Sequence, residues 1–508
     1  MSSYVVGIGG TGAKCVEALT HVCASGAGPA GNMYALFVDP DSANGNLSRA
    51  EQTLKTYVRC QQLGVGESKL WGTPIQVAEP MTWSPFQATQ ATDLDRLFGY
   101  YQLTLSDPAA ANLFDVLYSP AEKRQPLTQG FRGHPSIGAA VMAKQVDLGN
   151  AEPWHTFGES LKRDVSNPNP TRILLIGSVF GGTGAAGIPT IARLIRDACT
   201  HGQVPNVEFG AVLALPYFNF LPVPESEGLS ADPRSFLANT RAALQYYYNR
   251  QYLDLFSSVW VMGEQSSSQM NASVGSNTQR NRPHFLELYA ASAAVSFFEG
   301  LAGNGAPGTH AYFVIGRHDE SQLTWEDLPR LSVKSAGKDS ASQLTWLKSK
   351  TLQMLRFAVS YLFLFQPMLE EIKKGQVYRA PWYIDFLTRS KLSIHDADVA
   401  AALTNVKSSC EDYLRWWAAV QDSVHKEDLD IQLVNQRVFT DRQDAREVTL
   451  KTRSQFIPRD FDKLLMPPGG AADTGLDQVW ESLCDAKAGT GAEKVGKFLG
   501  ALYQVCGK

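Results

Sequence analysis

Three times in its first 190 residues the chain runs through a cluster of glycines straight into a helical pattern: GIGGTGAK (7–14), GFRGHPSIG (130–138) and FGGTGAAG (180–187). The first follows YVVGI (4–8) and the third follows RILLIG (172–177), both short, apolar and β-branched. A strand that ends in glycine and resumes as a helix is the junction of an α/β unit with parallel strands. Glycine also removes the Cβ that would hold a ligand away and lets several backbone N–H groups point into one small volume. The helix that follows adds the partial positive charge of its N-terminus. Any one such junction can be a tight turn and nothing more. Three of one kind in a single chain favour a shared anion.

The remaining pattern extends the α/β reading. MYALFV (33–38), VEFGAVLALP (207–216), SVWVMG (258–263) and HAYFVIG (310–316) read as strands. Residues 13–24, 188–199 and 233–256 read as helices, and HFLELYAASAAVSFFEGL (284–301) is a helix apolar on nearly every side, which predicts burial at the middle of the molecule. Residues 45–128 carry scattered polar and aromatic side chains and read as an insertion. From about residue 340 the texture is mostly helical, with 344–374 and 398–420 the clearest pieces. The expected organisation is therefore an α/β domain over 1–335, with a parallel sheet and a central buried helix, followed by a mainly helical domain over 336–508. MPPGGAADTG (466–475) reads as a link to a last helix, 491–505, which is expected to dock on a neighbouring chain.

The totals narrow the function classes. The chain has 508 residues, more than one ordinary core accommodates. A formal charge of −4 argues against broad contact with nucleic acid or an anionic membrane surface. The seven cysteines are widely spaced with no CxxC, which argues against a disulfide framework or zinc site and for a reducing compartment. No basic region followed by a long apolar stretch opens the chain, and FAVSYLFLF (357–365) is far shorter than a membrane span, so the expectation is a cytoplasmic protein without membrane insertion.

The first glycine loop fits GxGxxG through Gly7, Gly9 and Gly12, a dinucleotide signature whose acidic partner lies about 20 residues on; Asp39 and Asp41 lie beyond that. The P-loop pattern is absent, because Ala13 separates Gly12 from Lys14 and no Ser or Thr follows. A phosphate would thus be held mainly by amides. No HExxH, paired metal pattern or GxSxG elbow occurs.

Taken together in order, these segments resemble the tubulin and FtsZ superfamily, in particular bacterial tubulin-like proteins. GGTGAAGIP is similar to the superfamily's GGGTGSG phosphate loop and lies between the expected strand and helix. YVVGIGGTGAK resembles the first nucleotide loop of FtsZ, LFVDPDSAN (36–44) the loop after its second strand, GHPSIGAA (133–140) the loop facing the terminal phosphate, and VLALPYFNF (212–220) the segment beneath the ribose. The pieces span about the first 300 residues. The resemblance implies GTP or GDP with Mg²⁺. Gly9, Gly10, Thr11 and Gly12 would line the α- and β-phosphates. Gly181, Gly182, Thr183 and Gly184 would form the main amide cradle. Gly133 and His134 would lie near the γ-phosphate, and Asp39 and Asp41 near the Mg²⁺ or its waters. Asp-Pro-Asp also favours a simple turn. The position that reads guanine aligns with Tyr289 or Ala290, close to Glu287; ordinary helix packing is the other reading of these residues.

Departures from the family pattern are equally specific. Phe180 stands where the first loop glycine is usual, and NFLP lacks the ribose-binding Glu, with Glu225 nearby. Family hydrolysis uses acids that one subunit supplies in trans to its neighbour's nucleotide. No clean copy of that motif is present; Glu326 and Asp327 are the best candidates, ahead of Asp319 and Glu320, and adjacent acids before a proline also form solvated turns. Three functions remain open: a GTPase whose nucleotide state controls self-assembly into a homo-oligomer or filament; a weakly hydrolysing GTP-binding switch or scaffold acting on a protein partner through the helical C-terminal domain; and a NAD-dependent oxidoreductase built on GxGxxG.

Overall fold

The segment SSYVVGI forms β1 (Ser2–Ile8), and its alternate residues face opposite sides of a sheet: Val5 packs into one core, Tyr4, Val6 and Ile8 into another. The computed structural model describes residues 2–86, 93–131, 134–145, 151–164, 169–201, 206–220, 236–264, 268–270, 279–300, 310–314, 320–328, 341–375, 380–426, 428–441, 448–467 and 475–507. In chain order β1 is followed by α1 (Gly9–Ala24), β2 (Asn32–Val38), α2 (Gly45–Gln61), β3 (Ile75–Trp83), α3 (Pro135–Gln145), β4 (Thr171–Ser178), α4 (Gly182–His201), β5 (Val207–Ala214), α5 (Phe236–Asn249), β6 (Ser258–Met262), α6 (Phe285–Phe298) and β7 (Ala311–Val314). The seven strands make one sheet in the order β3-β2-β1-β4-β5-β6-β7. Every pairing in it is parallel, with Gly7 opposite Phe37 of β2 and Ile176 of β4. The α/β class expected from the glycine junctions is therefore the fold observed.

The chain winds outward in one direction from β1 to β3, then returns to β4 beside β1 and winds the other way. Such a reversal opens a crevice at the carboxyl ends of the two central strands, where α/β proteins bind ligands. Here those ends are Ile8 and Ser178, the two points at which the glycine junctions begin.

The segment read as an insertion is corrected in its first half. Residues 45–61 form α2 and 75–83 form β3, an integral βα unit and edge strand of the sheet. Leu47, Ala50, Leu54 and Tyr57 bury one stripe of α2, while the solvated edge position of β3 leaves its polar residues outward. In its second half the described residues add the short helices from Leu94 to Arg124 to that frame.

Helices α1, α2 and α6 cover one face of the sheet; α3, α4 and α5 cover the other. The mainly helical C-terminal region adds α7 (Ala341–Ser360), α8 (Ala397–Gln421) and α9 (Gly496–Val505). It packs on the α1–α2–α6 side through a continuous apolar core that runs from β1 to Cys506. This layer explains α6: all its residues but Ser296 are buried, because sheet and C-terminal helices enclose it from both sides. The boundary expected at 335/336 falls outside the described residues. The last helix docks within its own chain. Phe498, Leu499, Leu502 and Tyr503 are buried in it, each contributing about 1.5–3 kcal/mol. Tyr503 donates to the Ser25 carbonyl at 2.6 Å, and a Cβ at Gly496 would collide with the carbonyls of Leu63 and Gly64. Among the described residues one helical run, Trp346–Lys373, is long and apolar enough to cross a membrane, and 67% of its most apolar window is buried inside this core.

Candidate functional site

Helix α1 starts at the end of β1 without a spacer. Gly9 makes the turn at φ +72°, a conformation that favours glycine. No side chain caps the helix, and its first turn carries no acid, so its leading amides meet no side-chain acceptor there. Helix α4 starts three residues beyond the end of β4, after Val179, Phe180 and Gly181, and its first turn carries no acid. The two turns touch: a Cβ built on Gly9 would lie 3.3 Å from the Thr183 Cβ and 3.7 Å from the Gly184 nitrogen. Two helix N-termini thus converge on the crevice between β1 and β4.

The glycines divide by what surrounds them. At Gly12 a Cβ would come within about 2.4 Å of the Ile176 carbonyl oxygen, and at Gly184 it would press into the backbone of Ser178. These two let helix and strand approach; they are packing glycines. Gly10, Thr11, Gly181 and Thr183 are half-buried at the rim, where a ligand can reach them. Gly181 meets only the Ser178 hydroxyl, at 2.9 Å. Phe180 needs no left-handed backbone. Its ring packs against Phe218 at 5.4 Å and Phe236 at 4.9 Å, anchoring the loop from beneath.

The third glycine junction abuts the second. Phe131 is buried against Gly182, whose Cβ position is 2.8 Å from the Phe131 Cβ, and its ring also fills the space beside Gly138 at the start of α3. His134 Nδ1 lies 3.1 Å from Glu122 Oε1. Gly133 lies outside the described residues.

Asp39 ends β2 and is buried. Its Oδ1 accepts the Asp41 N–H at 3.0 Å, and Asp41 Oδ1 accepts the Ala43 N–H at 3.2 Å, so the turn chemistry of Asp-Pro-Asp is present. Asp39 Oδ2, however, is buried without a partner. Burial, reinforced by the neighbouring Asp41 charge, pushes this carboxyl up to about 8, against the single N–H that favours the anion. An orphaned carboxylate oxygen beside a second carboxylate fits a hard cation that takes its other ligands from phosphate and water. No group of three or more His, Cys, Asp or Glu that could hold a metal by itself occurs among the described residues.

Beyond Asp41, Asn44 caps α2 through the N–H groups of Asn46 and Leu47. Its amide lies 3.3 Å from the Cβ position of Gly10, with the Asn46 amide at 3.4 Å. Both are fastened to the segment entering α6: Asn44 donates to Gln279 Oε1 at 3.2 Å, and Asn46 Oδ1 accepts the Asn281 N–H at 2.7 Å. Asn46 is a crevice residue that reading the sequence misses, because the contacts that orient it come from 235 residues away.

Glu287 and Tyr289 are buried in α6. Glu287 Oε1 lies 2.5 Å from Lys14 Nζ and accepts the Tyr217 hydroxyl at 3.3 Å, while Oε2 accepts the His284 N–H at 3.1 Å. Tyr217 in turn lies next to the Thr11 side chain at the crevice rim. Burial raises the Glu287 carboxyl, and Lys14 pulls it back toward the anion. The Tyr289 ring meets Phe285 edge-on at 5.7 Å within the core, and Ala290 is fully buried. These side chains engage one another and the core. Tyr217, His284 and the Lys14–Glu287 pair have no signal in the sequence beyond their residue types.

Glu326 and Asp327 occupy a short turn (Trp325–Asp327) held against the C-terminal region, where Trp325 Nε1 donates to the Leu433 carbonyl at 3.0 Å. Asp327 is buried and accepts the Thr324 N–H at 2.7 Å and hydroxyl at 3.0 Å; Glu326 is exposed. Asp319 and Glu225 lie outside the described residues. A separate cavity of about 830 Å³ opens beyond the end of α8, between Arg282, His425, Arg437 and Lys463.

No family model matches this chain, and no curated protein does. Among solved structures, CetZ from Methanosaeta thermophila is similar to 61% of this chain at 13% identity, with a TM-score of 0.26. The match spans 57% of the CetZ chain, a little over half its length.

Proposed function

We propose that this chain is a tubulin-like GTP-binding protein that holds a guanine nucleoside triphosphate with Mg²⁺ in the crevice between β1 and β4. The observation that carries the reading is the close approach of the Gly9 turn to Thr183, which brings two helix N-termini to one place at the reversal of strand order. Amides at Gly10, Thr11, Gly181 and Thr183 would bind the phosphates, with Gly9, Gly12, Gly182 and Gly184 giving the turns their shape. Asp39, with Asp41 beside it, would hold the cation or its waters, which neutralises phosphate charge when bound. His134 would face the terminal phosphate. GTP rather than another nucleotide comes from the resemblance of the loops to tubulin and FtsZ.

In this reading the nucleotide state controls self-association, and Glu326 is the acid offered to the neighbour's nucleotide. GTP binding with weak hydrolysis is the second reading. It is favoured by Asp327, whose carboxylate is spent on capping its own turn. The dinucleotide alternative shares the strand order and an acid at the end of β2. It gives no role to the other two glycine junctions, at 130–138 and at 180–187 with Thr183.

Retention of the purified protein on immobilised GTP, with free GTP or NAD as competitor, separates the nucleotide readings. Release by GTP alone supports the proposal; release by NAD alone overturns it. Phosphate release per protein that rises with protein concentration distinguishes hydrolysis in trans from the switch.

A further inference from the structure

The added helices Tyr100–Ser106 and Pro108–Leu117 form a hairpin broken only at Asp107. Its inner face belongs to the fold. Phe114 packs against Phe98 at 5.6 Å, Tyr100 at 5.6 Å and Tyr118 at 5.1 Å, with Ala111 buried beside it. The second helix is apolar on its other face too. Leu113, Val116 and Leu117, at i, i+3 and i+4, stand in solvent, and Tyr101 and Leu105 do the same on the first helix. These five side chains are between 58% and 82% exposed. Single exposed apolar residues are ordinary. Five within seventeen residues of a hairpin, leaving roughly 600 Å² open, reach the largest patch a typical monomer shows.

Charge decides what covers it. Asp107 and Asp115 are the only Asp, Glu, Lys, Arg or His residues between Gly99 and Tyr118. Asp107 accepts the Ala110 N–H at 3.0 Å, and Asp115 accepts the Tyr100 hydroxyl at 2.8 Å and pairs with Lys123. The ridge has no free cation of the kind that holds a helix to anionic lipid. It also has no charge that would select an acidic or basic protein. An uncharged apolar ridge is complementary to itself. Two copies face to face would bury roughly 1,200 Å², the threshold of a specific interface.

We propose that this hairpin is an isologous contact through which two copies of the chain dimerise, each laying its Leu105–Leu117 ridge on the other. The contact uses none of the crevice residues and requires no nucleotide, so it stands or falls apart from the GTP reading.

Sedimentation velocity of the full chain without nucleotide tests it over a rising concentration series. The expected result is a shift from 55.6 kDa toward twice that mass. Leu105→Asp with Val116→Asp should weaken dimerisation at least ~10-fold, as two buried charges predict, with the thermal midpoint of the monomer unchanged. Val116→Gln gives the same reading, more mildly, if the double variant loses its fold. A wild-type chain that stays monomeric throughout overturns the proposal, as does a dimer whose affinity the folded variants leave unaltered. A monomer that instead floats with phosphatidylcholine–phosphatidylglycerol vesicles assigns the ridge to lipid and also overturns it.

Discussion

Lys14 and Glu287 form an ion pair at 2.5 Å with side chains 2% and 1% exposed, joining the helix that begins at the first glycine turn to the buried central helix. Through Glu287 the pair reaches Tyr217, and through Tyr217 the crevice rim at Thr11. Removing one partner strands the other charge in the core, at a cost of about 3–5 kcal/mol. Lys14→Met is expected to lose that much stability in urea unfolding. Lys14→Met combined with Glu287→Gln should be less destabilised than the two single changes summed, because neither charge is then left alone. Additive losses would mean that the two residues act independently.

The glycines should separate into two groups on substitution. Gly12→Ala and Gly184→Ala drive a Cβ into backbone, and each is expected to destabilise the fold by at least about 2–3 kcal/mol. Gly181→Ala meets only a movable hydroxyl. It should leave the thermal midpoint within about a degree of wild type while lowering GTP retention at least ~10-fold, since the methyl occupies space the phosphate needs. Unchanged retention in folded Gly181→Ala would remove that residue from the site.

Asp39→Asn keeps the bond from the Asp41 N–H and removes the carboxylate. If Asp39 serves the cation, nucleotide affinity measured with Mg²⁺ falls, whereas affinity in EDTA stays at the wild-type level. Equal effects in both conditions would assign Asp39 to the turn alone. The comparison is made at one pH by fluorescence of a labelled nucleotide.

The buried histidines should make a contribution to stability that acid removes. His21, tilted against the Trp416 ring at 5.0 Å, is pushed down to about 4 by burial. His284 is lowered by burial and then by the Lys14 charge, and its Nδ1 accepts the Leu286 N–H at 3.2 Å. The native state refuses protons that the unfolded chain accepts. The stability that His21 contributes is therefore full above about pH 6.5 and falls as pH drops toward 4, by up to ~3 kcal/mol. Asp39 and Asp412, raised by burial to about 8 and about 6, titrate in the opposite sense and offset that loss over the same range. Glu17 and Arg49 act on His21 with opposite signs. His21→Phe keeps the ring contact and should lower the slope between pH 4 and 6.5 in urea titrations; an unchanged slope would place the effect elsewhere.

Much of the sheet was legible because its strands are buried on both faces. RILLIG and VEFGAVLALP read as apolar runs with glycine or proline at their ends, and the structure has them as β4 and β5. The edge strand β3 was not legible. Its burial is broken, and Pro80 interrupts a polar run that a central strand would not carry. Helix α2 was obscured by its polar surface, although the Asn44 cap and the Leu47–Ala50–Leu54–Tyr57 stripe were present. The glycines that touch could be named from their spacing. Their division into packing and rim positions could not, because it depends on the carbonyls of Ile176 and Ser178. The Lys14–Glu287 pair and the Asn46–Asn281 contact join residues more than 230 positions apart, and residue type alone does not select them.

The central claim is that two glycine turns serve one triphosphate. Hydrogen exchange of the backbone amides, followed by mass spectrometry with and without a non-hydrolysable GTP analogue and Mg²⁺, tests it most directly. The account predicts that segments 9–12 and 181–184 slow together on adding the analogue, at the same half-saturating concentration. Protection of only one segment, or of neither while the analogue binds, would contradict it.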